Sequence, residues 1–245
     1  MVNSALLLAS EGFLDWLQNV DRAALLAVNG SDSLFLDSVV HVLTTAITWL
    51  PLYLSLFYLV VKNHNSLQRI GLIVGCAGLC ILFAGAVDDL IVKPLVGRWR
   101  PTHDPVIGTL VDVVNGYRGG KYGFFSAHAC NTFSIAIFFC WLVRSWALSF
   151  TLIIWSLTNC WTRLYLGVHF PGDILVGLTW GFIVGTSVYF LYRRLTRNWR
   201  AEGRRYITTE YTDGGFERPT CEIPVAVFYF TVIFALLKAT YQCVI

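Results

Sequence analysis

Charge is what this 245-residue sequence has least of. Asp, Glu, Lys and Arg together make up 13% of it, about half the share of a soluble domain. So few charges cannot cover a globule of this length, which excludes a typical cytosolic enzyme. The 56% of hydrophobic residues excludes a disordered chain. A net charge of +3 is too small to argue for nucleic acid. The seven cysteines are odd in number, and none stands in a Cys-x-x-Cys pair or a Cys/His cluster with metal-ligand spacing. Neither a disulfide scaffold nor a metal site is therefore expected. No internal repeat, low-complexity tract or basic leader ahead of a cleavable signal is visible. These absences leave an all-α, polytopic membrane protein.

What is present is a series of apolar runs. About 18 apolar residues suffice to span a bilayer. Six spans are expected, over 39–61, 70–87, 126–143, 146–161, 174–191 and 225–237. The second is closed by Asp88-Asp89, and the sixth is weakened by Lys238 and Gln242. Residues 11–29 read as an amphipathic helix: Phe13, Leu14, Trp16, Leu17 and Val20 lean to one side while Asp15, Asn19, Asp21 and Arg22 interrupt any spanning run. That pattern predicts an interfacial helix, ended by Asn29-Gly30-Ser31. The divisions are an N-terminal interfacial segment (1–37), a core of five spans (38–192), a basic segment (193–224) and a sixth span (225–245).

Orientation follows from Lys and Arg. The 1–2, 3–4 and 5–6 connections carry ten of the eighteen basic residues, including the run 193–205, and are expected in the cytoplasm. The connections 2–3 and 4–5 then face outward. The former, 91–125, is long for a membrane loop and rich in Gly and aromatic residues.

Three polar clusters share that outward side. They are Lys93 with Arg100-Pro101, then Ser126-Ala127-His128 opening a span, then Thr162-Arg163 with His169 and Asp173. Ionisable groups at membrane depth are costly, so such a gathering points to function. Three fixed cations suit a phosphoryl group, whose charge spreads over three oxygens. Arg offers a planar fork to phosphate and Lys a point charge. Ser126 opens a helix, where backbone N–H groups favour an anion. One histidine can attack phosphorus while the other protonates the leaving oxygen. A carboxylate four residues from a histidine can take its Nδ1–H and fix the tautomer.

The pattern resembles the phosphatidic-acid phosphatase type 2 superfamily, whose motifs are Lys-x6-Arg-Pro, Pro-Ser-Gly-His and Ser-Arg-x5-His-x3-Asp. Lys93, Arg100 and Pro101 match the first in full. Ser126 and His128 match the second, with Phe125 and Ala127 replacing Pro and Gly. Arg163, His169 and Asp173 match the third, with Thr162 replacing Ser. The resemblance implies His169 as nucleophile through a phosphohistidine, Asp173 as its orienting group, and His128 as general acid and then base. It implies Lys93, Arg100, Arg163, Ser126 and the Ala127 N–H as phosphate ligands, with no metal and no cofactor. It further implies a lipid phosphate as substrate, in a bacterial inner membrane with the active site facing the periplasm. The segment 117–123 is similar to that of compact bacterial members acting on lipid A or undecaprenyl diphosphate, and inclines the reading to a lipid A phosphate. Phosphatidylglycerophosphate and phosphatidate are further family substrates.

Other readings are separable. A vanadate-dependent haloperoxidase would use the same anion site, but its relatives are soluble. An inactive adaptor or transporter would lack one of His128, His169 and Arg163, and all three are present. Arg98 reads as a headgroup or surface residue, and Asp89 as a partner for Lys93 should the helix continue.

Overall fold

The computed structural model describes residues 2–197 and 209–244. The stretch 198–208 of the expected basic segment lies outside the described residues. Among the described residues the chain is helical, and its extended pairings are two isolated bridges, Trp99 with Tyr122 and Tyr211 with Glu217.

Helix α1 (Val2–Leu26) exposes Phe13, Leu14, Trp16, Leu17 and Val20. The expected first span is two helices, α2 (Leu34–Thr44) and α3 (Leu50–Lys62), bent by 67° across a short 3₁₀ turn. The break is at Thr45, whose extended backbone ends α2, and the chain re-enters helix through the 3₁₀ turn Ala46–Trp49, with Pro51 in the first turn of α3 where its missing N–H costs nothing. Hydropathy averages across such a bend and does not register it.

The second span runs further than expected. Helix α4 (Leu67–Ile81) continues through two π turns, Leu82–Ala86 and Asp88–Val92, into α5 (Lys93–Val96). Together they form one helix of 30 residues, so Asp88 and Asp89 lie inside it rather than closing it. It ends at Gly97, whose left-handed φ of 60° is the usual glycine helix stop.

Four helices follow: α6 (Ala127–Val143), α7 (Trp146–Tyr165), α8 (Pro171–Leu195) and α9 (Arg218–Val244). Three helices (Leu67–Val96, Pro171–Leu195 and Arg218–Cys243) are long and apolar enough to cross a membrane. The bent α2–α3 pair makes a fourth, and α6 is apolar but shorter, at 17 residues.

Helix α6 is central, packed by α4, α7 and α8, while α9 packs on α2, α3 and α7. Trp49 stacks on Phe228 at 5.9 Å and takes the edge of Trp155 at 6.1 Å. The α6–α8 seam is closest. Gly177, Gly181 and Gly185, one turn apart on α8, face α6, where a Cβ would come within 2.9 Å of Ser126 O, 2.7 Å of Cys130 O and 2.5 Å of Ser134 O respectively. Small residues at four-residue spacing are how helices approach closely in lipid. This seam fixes the start of α6 against the start of α8.

Candidate active site

Lys93 sits where the π turns deliver it. Its Nζ lies 2.8 Å from Asp88 Oδ2 and also pairs with Asp89. In an α-helix, residues four apart share a face and residues five apart do not. The wider π turn, closed by i→i+5 bonds, brings both carboxylates to one ammonium. Asp88 is fully buried, and its Oδ1 has no hydrogen-bond partner.

The loop after α5 returns on itself. Arg100 N donates to Lys121 O at 3.1 Å and Gly123 N to Arg98 O at 2.9 Å, flanking the Trp99–Tyr122 bridge. Arg98 and Arg100 are thereby set beside Gly123. A Cβ at Gly123 would stand 2.9 Å from Arg100 Cγ, so only glycine allows this approach. Arg100 donates through Nε to Tyr122 O at 3.1 Å. Burial lowers its guanidinium from the usual range, and the nearby charge of Arg163 adds to this.

Ser126 caps α6: its Oγ accepts from Ala129 N at 3.4 Å and its own N–H donates to Asp173 O at 3.2 Å. Ala127 and His128 occupy the first turn, where backbone N–H groups have no partner within the helix. His128 is half-buried and feels Arg163, His169, Arg100 and Lys93 through space.

Arg163, on the last turn of α7, is 3% exposed. Its Nη1 donates to Thr44 Oγ1 at 2.7 Å and its Nη2 to Tyr117 Oη at 3.1 Å, while Nε is buried without a partner. Thr44 is available because α2 breaks just after it. Burial alone would raise the Tyr117 phenol, but the hydrogen bond from Arg163 and the charges of Arg163 and Arg100 hold it below its usual value. Among the described residues no carboxylate lies in ion-pair range of Arg100 or Arg163.

His169 is buried between α7 and α8. Its Nδ1 is 2.9 Å from Gly123 O and 3.7 Å from Asp173 Oδ2. The expected bond to Asp173 is therefore not made, and Nδ1–H donates to the Gly123 carbonyl instead. That leaves the lone pair on Nε2. Burial holds the imidazole well below the usual histidine range, and the charges of Arg100, Arg163 and Lys93 push the same way. It is a neutral base ringed by cations.

Asp173, fully buried, caps α8 by accepting from Phe170 N at 2.9 Å through Oδ2. Its Oδ1 is 2.7 Å from Arg98 Nη1. Arg98 also pairs with Asp21 and lies 4.3 Å over the Phe170 ring. Arg98 is thus not the surface residue its sequence context suggests.

All eight sequence-predicted positions come to one end of the helix bundle. Sequence reasoning missed Thr44, Tyr117, Gly123, Arg98 and Asp21. Tyr117 carried a signal, an aromatic hydroxyl in a Gly-rich loop ahead of the second cluster. Asp21 and Thr44 carried none, being far along the chain from their partners. Among the described residues no group of three His, Cys, Asp or Glu side chains is gathered as metal ligands.

The sequence profile of the PAP2 superfamily matches residues 73–197, half of the chain. A lipid A 4'-phosphatase of Bacteroides thetaiotaomicron is 40% identical over 184 residues, covering 75% of this chain and 81% of that protein. A lipid A 4'-phosphatase of Porphyromonas gingivalis is 34% identical over 189 residues, covering 76% and 78%. A decaprenylphosphoryl-5-phosphoribose phosphatase of Mycobacterium tuberculosis is 34% identical over 116 residues, covering 47% and 58%. No solved structure matches the chain with significance.

Proposed function

We infer from the PAP2 superfamily, to which this chain belongs, that the protein is a phosphatase of the bacterial inner membrane that removes a phosphate from a lipid A-type glycolipid at the periplasmic face. One observation carries the reading. Arg100 and the almost fully buried Arg163 have no carboxylate partner among the described residues and lie beside a neutral, buried imidazole. Burying a charge is expensive unless an opposite charge meets it. A phosphate monoester supplies that charge, and its phosphorus would stand before His169 Nε2. The two relatives that align over three quarters of this chain are lipid A 4'-phosphatases.

In the mechanism we propose, Arg100, Arg163, Lys93 and the N–H groups at the start of α6 bind the phosphoryl oxygens. Lys93 reaches them from its two carboxylates. The dianionic phosphate offsets the cations beside His128 and lets it hold a second proton. His169 Nε2 attacks phosphorus as the bond to the lipid oxygen breaks, and the His128 imidazolium gives its proton to that oxygen. The Gly123 carbonyl keeps the Nδ1 proton in place throughout. Water then attacks the phosphohistidine, His128 takes a proton from it, and the N–P bond breaks to release inorganic phosphate and neutral His169. Fixed cations aimed at developing charge are commonly the largest contribution to such catalysis.

The test is phosphate release by purified protein in detergent from lipid A, undecaprenyl diphosphate, phosphatidylglycerophosphate and phosphatidate. Fastest release from lipid A is expected, with acid-labile label trapped on wild type and none on His169→Ala. Faster turnover of a glycerophospholipid overturns the substrate, and label retained by His169→Ala overturns the nucleophile.

A further inference from the structure

Helix α1 reaches the site through a chain of charges. Asp21, in its last turns, pairs with Arg98 Nη2, and Arg98 Nη1 holds Asp173 Oδ1 at 2.7 Å. Asp21 also accepts from Gly172 N at 2.7 Å, so it clamps the start of α8 directly. Gly172 leaves no room for a side chain there, since a Cβ would meet Asp21 at 2.8 Å. A second tether, Arg22 to Asp104 at 3.0 Å, fixes the same part of α1 to the loop after Arg100.

Arg98 and His169 stand on either side of Asp173. Oδ1 goes to Arg98, and Oδ2 lies 3.7 Å from His169 Nδ1 while capping Phe170. The guanidinium also covers the Phe170 ring at 4.3 Å, the residue next to His169. Arg98 therefore decides how much of the Asp173 charge His169 feels. Asp21, by sharing that guanidinium, decides how strongly Arg98 pulls.

We propose that Asp21 of α1 and Arg98 form a positioning pair that holds Asp173 and the His169 loop in their reactive arrangement. The pair does not touch the phosphate; it acts through Asp173. The inference rests on the phosphatase reading above for its catalytic readout.

The experiment compares Arg98→Gln, Asp21→Asn and the double variant with wild type in detergent micelles. Asp21→Asn keeps an oxygen for Gly172 N and removes the charge and the acceptor that face Arg98. Misplacing a reacting group by a fraction of an ångström is worth about tenfold in rate. Arg98→Gln is expected to lower kcat about tenfold with little change in KM, and Asp21→Asn to lower it a few-fold. Because Asp21 acts through Arg98, the double variant should be no worse than Arg98→Gln alone.

The acid limbs of the pH profiles should move in opposite directions. His169 is faced by Arg100, Lys93, Arg163 on α7, His128 on α6 and Asp173 on α8. Removing Arg98 exposes more of the Asp173 charge to His169 and moves the limb to higher pH. Removing Asp21 leaves Arg98 less neutralised and moves it lower.

A second readout needs no turnover: orthovanadate, a five-coordinate mimic that must bond to a well-placed nucleophile, against inorganic phosphate, which need not. Both variants should weaken vanadate several-fold and leave phosphate within about twofold. If kcat falls additively in the double variant, if the acid limbs shift together, or if vanadate binding is unchanged, the pair is structural and the proposal fails. If wild type releases no lipid phosphate but vanadate binding responds as expected, the substrate reading fails and the positioning pair stands.

Discussion

The α6–α8 seam makes an inverse prediction for stability and catalysis. Alanine at Gly177 puts a Cβ 2.9 Å from Ser126 O and 3.1 Å from the Ala129 Cβ, where ordinary contact begins at 3.4 Å. The helices must part by about half an ångström beside the cap of α6. Alanine at Gly185 meets Ser134 O at 2.5 Å, a worse clash. That position is twelve residues beyond Asp173, roughly 18 Å along the helix at 1.5 Å per residue. Overpacking costs about 1–3 kcal/mol. Replacing a helical glycine by alanine returns about 1 kcal/mol. Gly177→Ala should therefore leave stability nearly unchanged, and Gly185→Ala should lose about 1–2 kcal/mol. For a chain of this size that is roughly 2–8 °C in the unfolding midpoint. Catalysis should run the other way. A reacting group displaced by 1 Å costs about a hundredfold, so half that at Ser126 and His128 predicts about a tenfold loss of kcat for Gly177→Ala. Gly185→Ala should stay within about threefold. The assays are phosphate release and tryptophan fluorescence melting in the same detergent. A Gly185→Ala enzyme with normal melting and crippled kcat, or a Gly177→Ala enzyme that melts early and turns over normally, refutes the claim that this seam sets the site.

Three other outcomes are expected. Arg163→Lys keeps a charge but loses the fork shared by Thr44 and Tyr117, so kcat/KM should fall about a hundredfold; activity within threefold of wild type would mean that charge alone suffices. Tyr117→Phe removes the acceptor for Arg163 Nη2, leaves that donor unpaired and should cost about tenfold in kcat/KM; an unchanged rate would show that the loop does not steer Arg163. His169 must be neutral to attack, and burial with three cations depresses its pKa. The acid limb of kcat/KM should therefore fall below the usual histidine value of about 6.5 once the substrate's own ionisation is allowed for. Bound phosphate offsets those cations, so the limb of kcat should lie at higher pH than that of kcat/KM. Limbs in the reverse order would place the titrating base elsewhere.

The spacing of the three clusters was enough to bring Lys93, Arg100, Ser126, His128, Arg163, His169 and Asp173 to one place, because each cluster sits at a helix end on the same side. What escaped was pairing across distance. Arg98 reads as a headgroup or surface residue in isolation, and its role depends on Asp21, 77 positions away. The histidine–carboxylate spacing suggested a bond that the chain makes to the Gly123 carbonyl, because a backbone acceptor has no identity in the sequence. Asp88 and Asp89 read as a helix stop on polarity alone, yet Lys93 pairs with both and the helix runs on. The bend at Thr45 is invisible to apolar run length, because the residues on either side of it are equally apolar.

The ion pairs around the site have a consequence for how substrate arrives. Asp21, Asp88, Asp89 and Asp173 match Lys93, Arg98, Arg100 and Arg163 in number, so before His128 gains its proton the eight groups carry little net charge. From beyond a Debye length, about 8 Å in physiological salt, such a cluster exerts almost no pull on a dianion. Attraction begins only once the phosphate is close enough to distinguish the unpaired guanidiniums from the paired ones. A substrate confined to the bilayer plane needs no long-range field, since two-dimensional diffusion brings it to the door. Capture rates for a membrane-held lipid should accordingly be nearly flat with ionic strength.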